Sequence, residues 1–103
     1  MVFIETPTFS RLITSLISDD EYRQLQQILA VRPDAGDLIP RGGGIRKLRW
    51  KKQGVGKSGG IRVIYYWIVD DDQLLMLVAY PKSMKDNLSD AETAMLRRLV
   101  KEL

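Results

Sequence analysis

IRKLRWKKQGVGKSGGIRVIYYWIVDDDQLLMLVAY, residues 45–80, reads as three consecutive β-strands joined at hairpin spacing. In residues 45–51, Leu48 and Trp50 alternate with Lys47, Arg49 and Lys51. A period of two puts one face of that strand in a core and a row of cations on the other. Residues 53–60 form a glycine-rich connector with Lys57 as its only charge. Residues 61–69, IRVIYYWIV, are apolar on both faces and dense in β-branched and aromatic side chains, which marks a central strand. Asp70, Asp71 and Asp72 make a solvated turn, and residues 74–80 supply the antiparallel partner.

Outward from these strands the periodicity becomes helical. Residues 2–5 form a short strand that Pro7 ends, and Thr8 is placed to cap a helix over residues 8–17 with Phe9, Leu12, Ile13 and Leu16 on one face. Ser18 and Glu21 make a capping box for a second helix, whose stripe is Tyr22, Leu25, Ile28 and Leu29. Pro33 and Gly36 stop it, and residues 33–44 read as a loop ending in three glycines. Ser89 and Glu92 form a second capping box. The C-terminal helix that follows has Met95, Leu96, Leu99 and Leu103 on one side and Arg97, Arg98 and Lys101 in its last turns. The order β, α, α, β, β, β, α predicts one α+β domain over residues 1–103. Two N-terminal helices and a C-terminal helix surround a small twisted, mainly antiparallel sheet.

A chain of 103 residues with 45% hydrophobic and 28% charged residues has the balance of one globular domain. Cysteine and histidine are both absent. Those two zeros exclude disulfide frameworks, thiolate and histidine zinc sites, Ser/His/Asp hydrolases and cysteine nucleophiles. The longest apolar runs are about half what a membrane span needs, and MVFIETPTFSR lacks a basic start leading into an apolar stretch. The expectation is a soluble, cytoplasmic protein with no membrane contact and no cofactor.

The net charge of +3 conceals a strong asymmetry. Residues 41–62 carry eight cations (Arg41, Arg46, Lys47, Arg49, Lys51, Lys52, Lys57, Arg62) and no carboxylate, whereas the rest of the chain has eight basic and 13 acidic residues. A basic segment on an otherwise acidic protein is the footprint of a phosphate-backbone contact. The glycines within it let main-chain N–H groups approach a phosphate. The bland alternative, a solvated basic loop, stays open. Gly56-Lys57-Ser58 matches only part of a phosphate-binding P-loop, and a strand follows where that motif needs a helix, so nucleotide hydrolysis is disfavoured.

Arg62 is the one charge in a strand that otherwise reads as buried, so it needs an anionic partner. Hairpin pairing brings Lys82 and Lys85, just after Tyr80, toward Arg62. Lys47, Arg49, Lys57, Arg62, Lys82 and Lys85 then converge on one patch. Trp50 and Tyr80 are candidates to stack a base, with a core role as the alternative for each. Asp86 and Asp90 follow the patch, but no paired carboxylate suggests a two-metal nuclease. A cationic site of this kind still has chemistry available on RNA. The ribose 2′-OH is a nucleophile already present in the substrate, and lysine and arginine stabilise the charge that builds on the scissile phosphate. A lysine crowded by cations also has its charged form disfavoured, which suits proton transfer.

IRKLRW, the G-x-G-K-x-G-G-x-R-V-I-Y-Y run at residues 54–66, the Asp-rich hairpin and the Y-x-K-x-x-x-x-x-L-S-D-x-E tail at residues 80–92 together resemble the RelE/HigB superfamily of type II toxin–antitoxin toxins, specifically its HigB-like branch. The resemblance covers nearly the whole chain. It implies a microbial RNase-like fold and a ribosome-dependent mRNA interferase, which cleaves message in the ribosomal A site and so inhibits translation. By the same resemblance Lys47 and Arg49 match the basic pair on the strand before the loop, and Lys51 matches a further basic position there. Lys57 belongs to the loop signature, Arg62 heads the central strand and Lys82 matches the basic position after the last strand. Two positions depart from the pattern: Ser83 stands where some members have an arginine, and Ser89 aligns with the catalytic tyrosine of the RelE branch.

The leading expectation is therefore a metal-independent endoribonuclease with Lys57 and Arg62 on the phosphate. Lys47, Arg49 and Lys82 share proton transfer and charge stabilisation, and Arg46, Lys51, Lys52, Tyr80 and Lys85 bind RNA. The alternative is a non-catalytic RNA- or ribosome-binding module of the same fold. Expected partners are mRNA, the ribosome and a cognate antitoxin, whose acidic or amphipathic segment would meet the basic face or the C-terminal helix.

Overall fold

A computed structural model describes residues 1–51 and 59–103. Lys52 and Lys57 lie outside the described residues. The elements run β1 (Val2–Glu5), α1 (Pro7–Leu16), α2 (Asp19–Val31), β2 (Asp37–Leu38), β3 (Ile45–Trp50), β4 (Ile61–Ile68), β5 (Gln73–Pro81) and α3 (Asp90–Lys101). The five strands form one sheet in the order β1-β5-β4-β3-β2. The β5-β4, β4-β3 and β3-β2 pairs are antiparallel, whereas β1 adds to β5 in parallel, so the sheet is mixed.

Both faces are covered, which explains why β4 carries no alternation. On one face, Phe9 and Ile13 of α1 and Leu25 and Leu29 of α2 pack with Leu48, Val63, Tyr65 and Met76. On the other, Leu96 and Val100 of α3 pack with Ile45, Ile64, Leu75 and Leu77. A strand between two helical layers must be apolar at every position. The fully buried Phe9 and Leu25 each stabilise the fold by roughly 1.5–3 kcal/mol through apolar burial.

The alternation along β5 changes phase once. The pairs Ile64↔Val78 and Tyr65↔Met76 leave Leu77 as an extra residue, a β-bulge. Leu75, Leu77, Val78 and Tyr80 therefore belong to the α3 side, while Met76 and Ala79 belong to the α1/α2 side. The bulge thus turns Tyr80 toward the face that α3 occupies.

Several boundaries differ from the sequence expectation for identifiable reasons. Thr6, not Thr8, caps α1: its hydroxyl accepts the Phe9 N–H at 3.0 Å, and Pro7 becomes the first helical residue, where its missing N–H costs nothing. Asp37 and Leu38, read as loop, form β2 by pairing with Lys47 and Arg46. The buried stripe of α3 is Thr93, Leu96 and Val100; Met95, Leu99 and Leu103 are exposed. Ile28 of α2 is likewise exposed. Ser18 caps α2, its Oγ accepting the Glu21 N–H, and Ser89 and Glu92 form a full capping box at the start of α3. Among the described residues no helix is long and apolar enough to cross a membrane.

Candidate functional site

Strand register assembles the site. The pairs Arg49↔Arg62 and Arg62↔Tyr80 place Arg49, Arg62 and Tyr80 in one row across β3, β4 and β5. Directly cross-strand residues share a face. Lys47 is two residues before Arg49 and lies on the same face, which is the α3 face that holds Ile45 and Ile64. The helix covers one end of this face, and the segment between β5 and α3 folds over the other.

That segment meets the cations directly. Arg62 is 6% exposed, and its Nε donates to Oδ1 of Asp86 at 2.8 Å, with Nη2 in ion-pair contact with the same oxygen at 2.7 Å. The Arg62 Nη1 donates back to the Ile61 carbonyl at 3.2 Å. The Lys47 ammonium donates to the side-chain oxygen of Asn87 and, at 3.3 Å, to the backbone carbonyl of Asp86. The Tyr80 hydroxyl donates to the same carbonyl at 3.3 Å. Hydrogen bonding from Arg62 holds the Asp86 carboxyl below its ordinary range, with Lys47 and Arg49 adding to the effect. Burial pushes the Tyr80 phenol up, so it keeps its proton and acts as a donor.

The remaining candidates lie around this core. Lys85 sits 5.0 Å over the Tyr80 ring and pairs with Glu92, whose carboxyl Lys85 holds down. Arg49 is exposed and pairs with Asp37 of β2 at 2.6 Å. Lys51 is exposed just past β3, and Lys82 is exposed after β5, its backbone N–H bonded to the Gly60 carbonyl. Arg46 projects to the opposite face, where Nη1 caps the Gly36 and Asp34 carbonyls. Trp50 is also on that opposite face, packed against the α1/α2 cluster. Of the residues singled out from sequence, the structure brings together Lys47, Arg49, Arg62, Tyr80 and Lys85. It places Arg46 and Trp50 elsewhere.

Beside Lys47 and Arg49 a groove of about 510 Å³ opens between β2–β3 and α3. Arg41 and Arg97 line it together with Asp37 and Asp90. The turn that presents Arg41 is unusual, since Arg41 itself has φ 62°, followed by Gly43 at φ 70° and Gly44 at φ 107°. A Cβ on Gly43 would stand 2.8 Å from Cγ of Arg97, so glycine lets the turn press against that side chain. Arg41, Arg97, Asp86 and Asn87 were not legible as site residues in sequence. Asp86 and Asn87 sit in an aperiodic connector, and only the register of strands far away in the chain brings them to Arg62 and Lys47. Among the described residues no group of three carboxylates gathers as a metal cage would require.

The Ser89 hydroxyl is engaged as the cap of α3. The arrangement is a buried guanidinium, a neighbouring ammonium and a protonated phenol that all donate to Asp86, beside a groove lined by four cations and two carboxylates. A family model described as RelE toxin of the RelE/RelB toxin–antitoxin system matches residues 2–103.

Proposed function

The chain belongs to the RelE toxin family, and from that membership we propose that it acts as a ribosome-dependent mRNA endoribonuclease of the HigB-like branch, cutting message in the A site of cytoplasmic ribosomes and so halting translation. The family is that of a toxin–antitoxin system and implies an antitoxin partner. The observation that carries the cleavage reading is that Arg62, Lys47 and Tyr80 all direct donors to oxygens of one residue, Asp86, with Arg49 next in the same cross-strand row.

In this reading the RNA supplies the nucleophile. The 2′-oxygen attacks the adjacent phosphorus, the P–O5′ bond breaks, and the products are a 2′,3′-cyclic phosphate and a new 5′-hydroxyl. One base takes the 2′-OH proton, and one acid gives a proton to the leaving 5′-oxygen. Arg62 holds the phosphate through its guanidinium fork. Lys47 and Tyr80 donate to the oxygens on which charge grows, the kind of preorganised contact that is worth most in the transition state. Lys47, Arg49, Lys57 and Lys82 are the candidates for sharing proton transfer, and Lys51, Lys52 and Lys85 for holding the flanking RNA, whereas Arg46 faces the other side of the sheet and takes no part. The ribosome contributes by orienting the 2′-OH for in-line attack.

The test is primer extension on a defined message with and without programmed ribosomes. New 5′ ends only with ribosomes are expected. Ends in both reactions would replace the proposal with a free endoribonuclease. Ribosome binding with no new ends would replace it with a non-catalytic module, a reading that Ser83 and the capping role of Ser89 favour.

A further inference from the structure

The buried charge of Arg62 is already neutralised, and by a group that faces solvent. The Arg62 side chain is 7% exposed, whereas the Asp86 side chain is 49% exposed. A guanidinium at that depth requires an anion at all times. Asp86 meets it incompletely, because both Nε and Nη2 converge on the single oxygen Oδ1. A guanidinium fork is best satisfied by two oxygens in parallel, which a phosphodiester offers through its two non-bridging oxygens. The other donors at this point are also provisionally used. Lys47 and Tyr80 reach the Asp86 backbone carbonyl at 3.3 Å each, near the long limit for hydrogen bonds, and the closer partner of Lys47 is the side-chain oxygen of the exposed Asn87.

The segment that carries Asp86 is fixed at its two ends. Lys82 N–H bonds the Gly60 carbonyl, and the Ser89–Glu92 capping box anchors the start of α3. Lys85 is held by Glu92 and the Tyr80 ring. Between these anchors Asp86 and Asn87 are exposed. Displacing them swaps one set of oxygens for another without dismantling the sheet or α3.

We propose that Asp86 is a resident substitute for the substrate's scissile phosphate, seated on Arg62, and that RNA binds by exchanging its phosphodiester for this carboxylate. This rests on the reading of the protein as an RNA-cleaving toxin and adds to it a competitor carried by the enzyme itself. Apparent affinity is then reduced by the fraction of molecules in which Asp86 holds the seat. If that fraction is about 90%, removing the carboxylate tightens binding about tenfold.

The probe is a short RNA oligonucleotide with 2′-O-methyl riboses, which cannot supply the nucleophile, titrated into the protein and followed by NMR. In the wild type, the Arg62 Nε–H resonance is expected to shift to saturation. The Asp86 carboxyl, facing Arg62, Lys47, Arg49 and Tyr80, should titrate closer to an ordinary aspartate once the phosphate takes its place. Asp86→Asn should bind about tenfold more tightly, and Arg62→Ala added to it should abolish the gain. The wild-type carboxyl titration decides the matter even if Asp86→Asn folds poorly. No binding, an unmoved Asp86 carboxyl on saturation, or weaker binding by a folded Asp86→Asn would each overturn the exchange. Ribosome-dependent new 5′ ends from the wild type would leave the cleavage reading standing in any of those cases. Exchange at Asp86 with no cleavage by primer extension would sink that reading and keep the anion seat.

Discussion

Arg62 and Asp86 pose opposite demands at one position. The arginine is placed by β4 among apolar neighbours and cannot reach bulk water, so any change there alters both charge balance and chemistry. Arg62→Ala is expected to lower ribosome-dependent cleavage by about 10²- to 10³-fold, the usual cost of losing a donor to transition-state charge. Arg62→Lys should recover only part, since an ammonium lacks the planar fork. Rates of 5′-end formation at saturating ribosomes measure both. The carboxylate carries a pH signature. Its folded-state pKa lies below the ordinary 3.8, so pairing with Arg62 stabilises the fold above that value. The contribution is lost as pH falls through the lowered value. Thermal unfolding midpoints of the wild type and Asp86→Asn should therefore stand apart at neutral pH and converge below 3.8.

At the level of elements, the capping box of α3 is the joint between the site segment and the helical layer. Ser89 Oγ takes the Glu92 N–H, and the Glu92 carboxylate takes the Ser89 N–H at 2.8 Å while also holding Lys85. Ser89→Ala is expected to cost about 1 kcal/mol, read as a fall of about 4–8 °C in Tm. The same box was visible in the sequence, as was the strand triplet, because capping and period-two alternation are local patterns. β2 was not, since two residues become a strand only when β3 offers an edge to pair with. Asp86 escaped for a related reason: its meaning depends on the distant pairing of Arg62 with Tyr80, and a lone acid in a connector carries no periodic signal. The buried stripe of α3 differs from the sequence expectation because two apolar faces, Leu96/Val100 and Met95/Leu99, compete on one helix. Only packing against Ile45 and Leu77 selects the first.

Across the whole molecule, the charge asymmetry acts as a field. Eight cations fall within residues 41–62 and the remainder of the chain is acidic on balance; Lys47, Arg49 and Arg62 share the α3 side, so on the proposed function an RNA strand is drawn to that side. Affinity for a single-stranded oligonucleotide should fall log-linearly with salt, and each phosphate-contacting cation removed should reduce the slope by about 0.7. Arg41→Ala and Arg97→Ala, in the groove, test whether a second phosphate lies there: anisotropy titrations across salt should give the shallower line for both. Arg46→Ala, on the far face, should leave the slope unchanged. The bulge at Leu77 also sets how this molecule tolerates length changes. Leu77 is the surplus residue, so deleting it would restore strict alternation with Tyr80 still opposite Arg62, whereas deleting Ala79 would bring Tyr80 opposite Val63 on the α1/α2 side and send its phenol into an aliphatic interior. A β5 shortened past the bulge would still satisfy its backbone pairing, yet the phenol would have changed sides, so one place in the strand absorbs the loss of a residue and its neighbour does not.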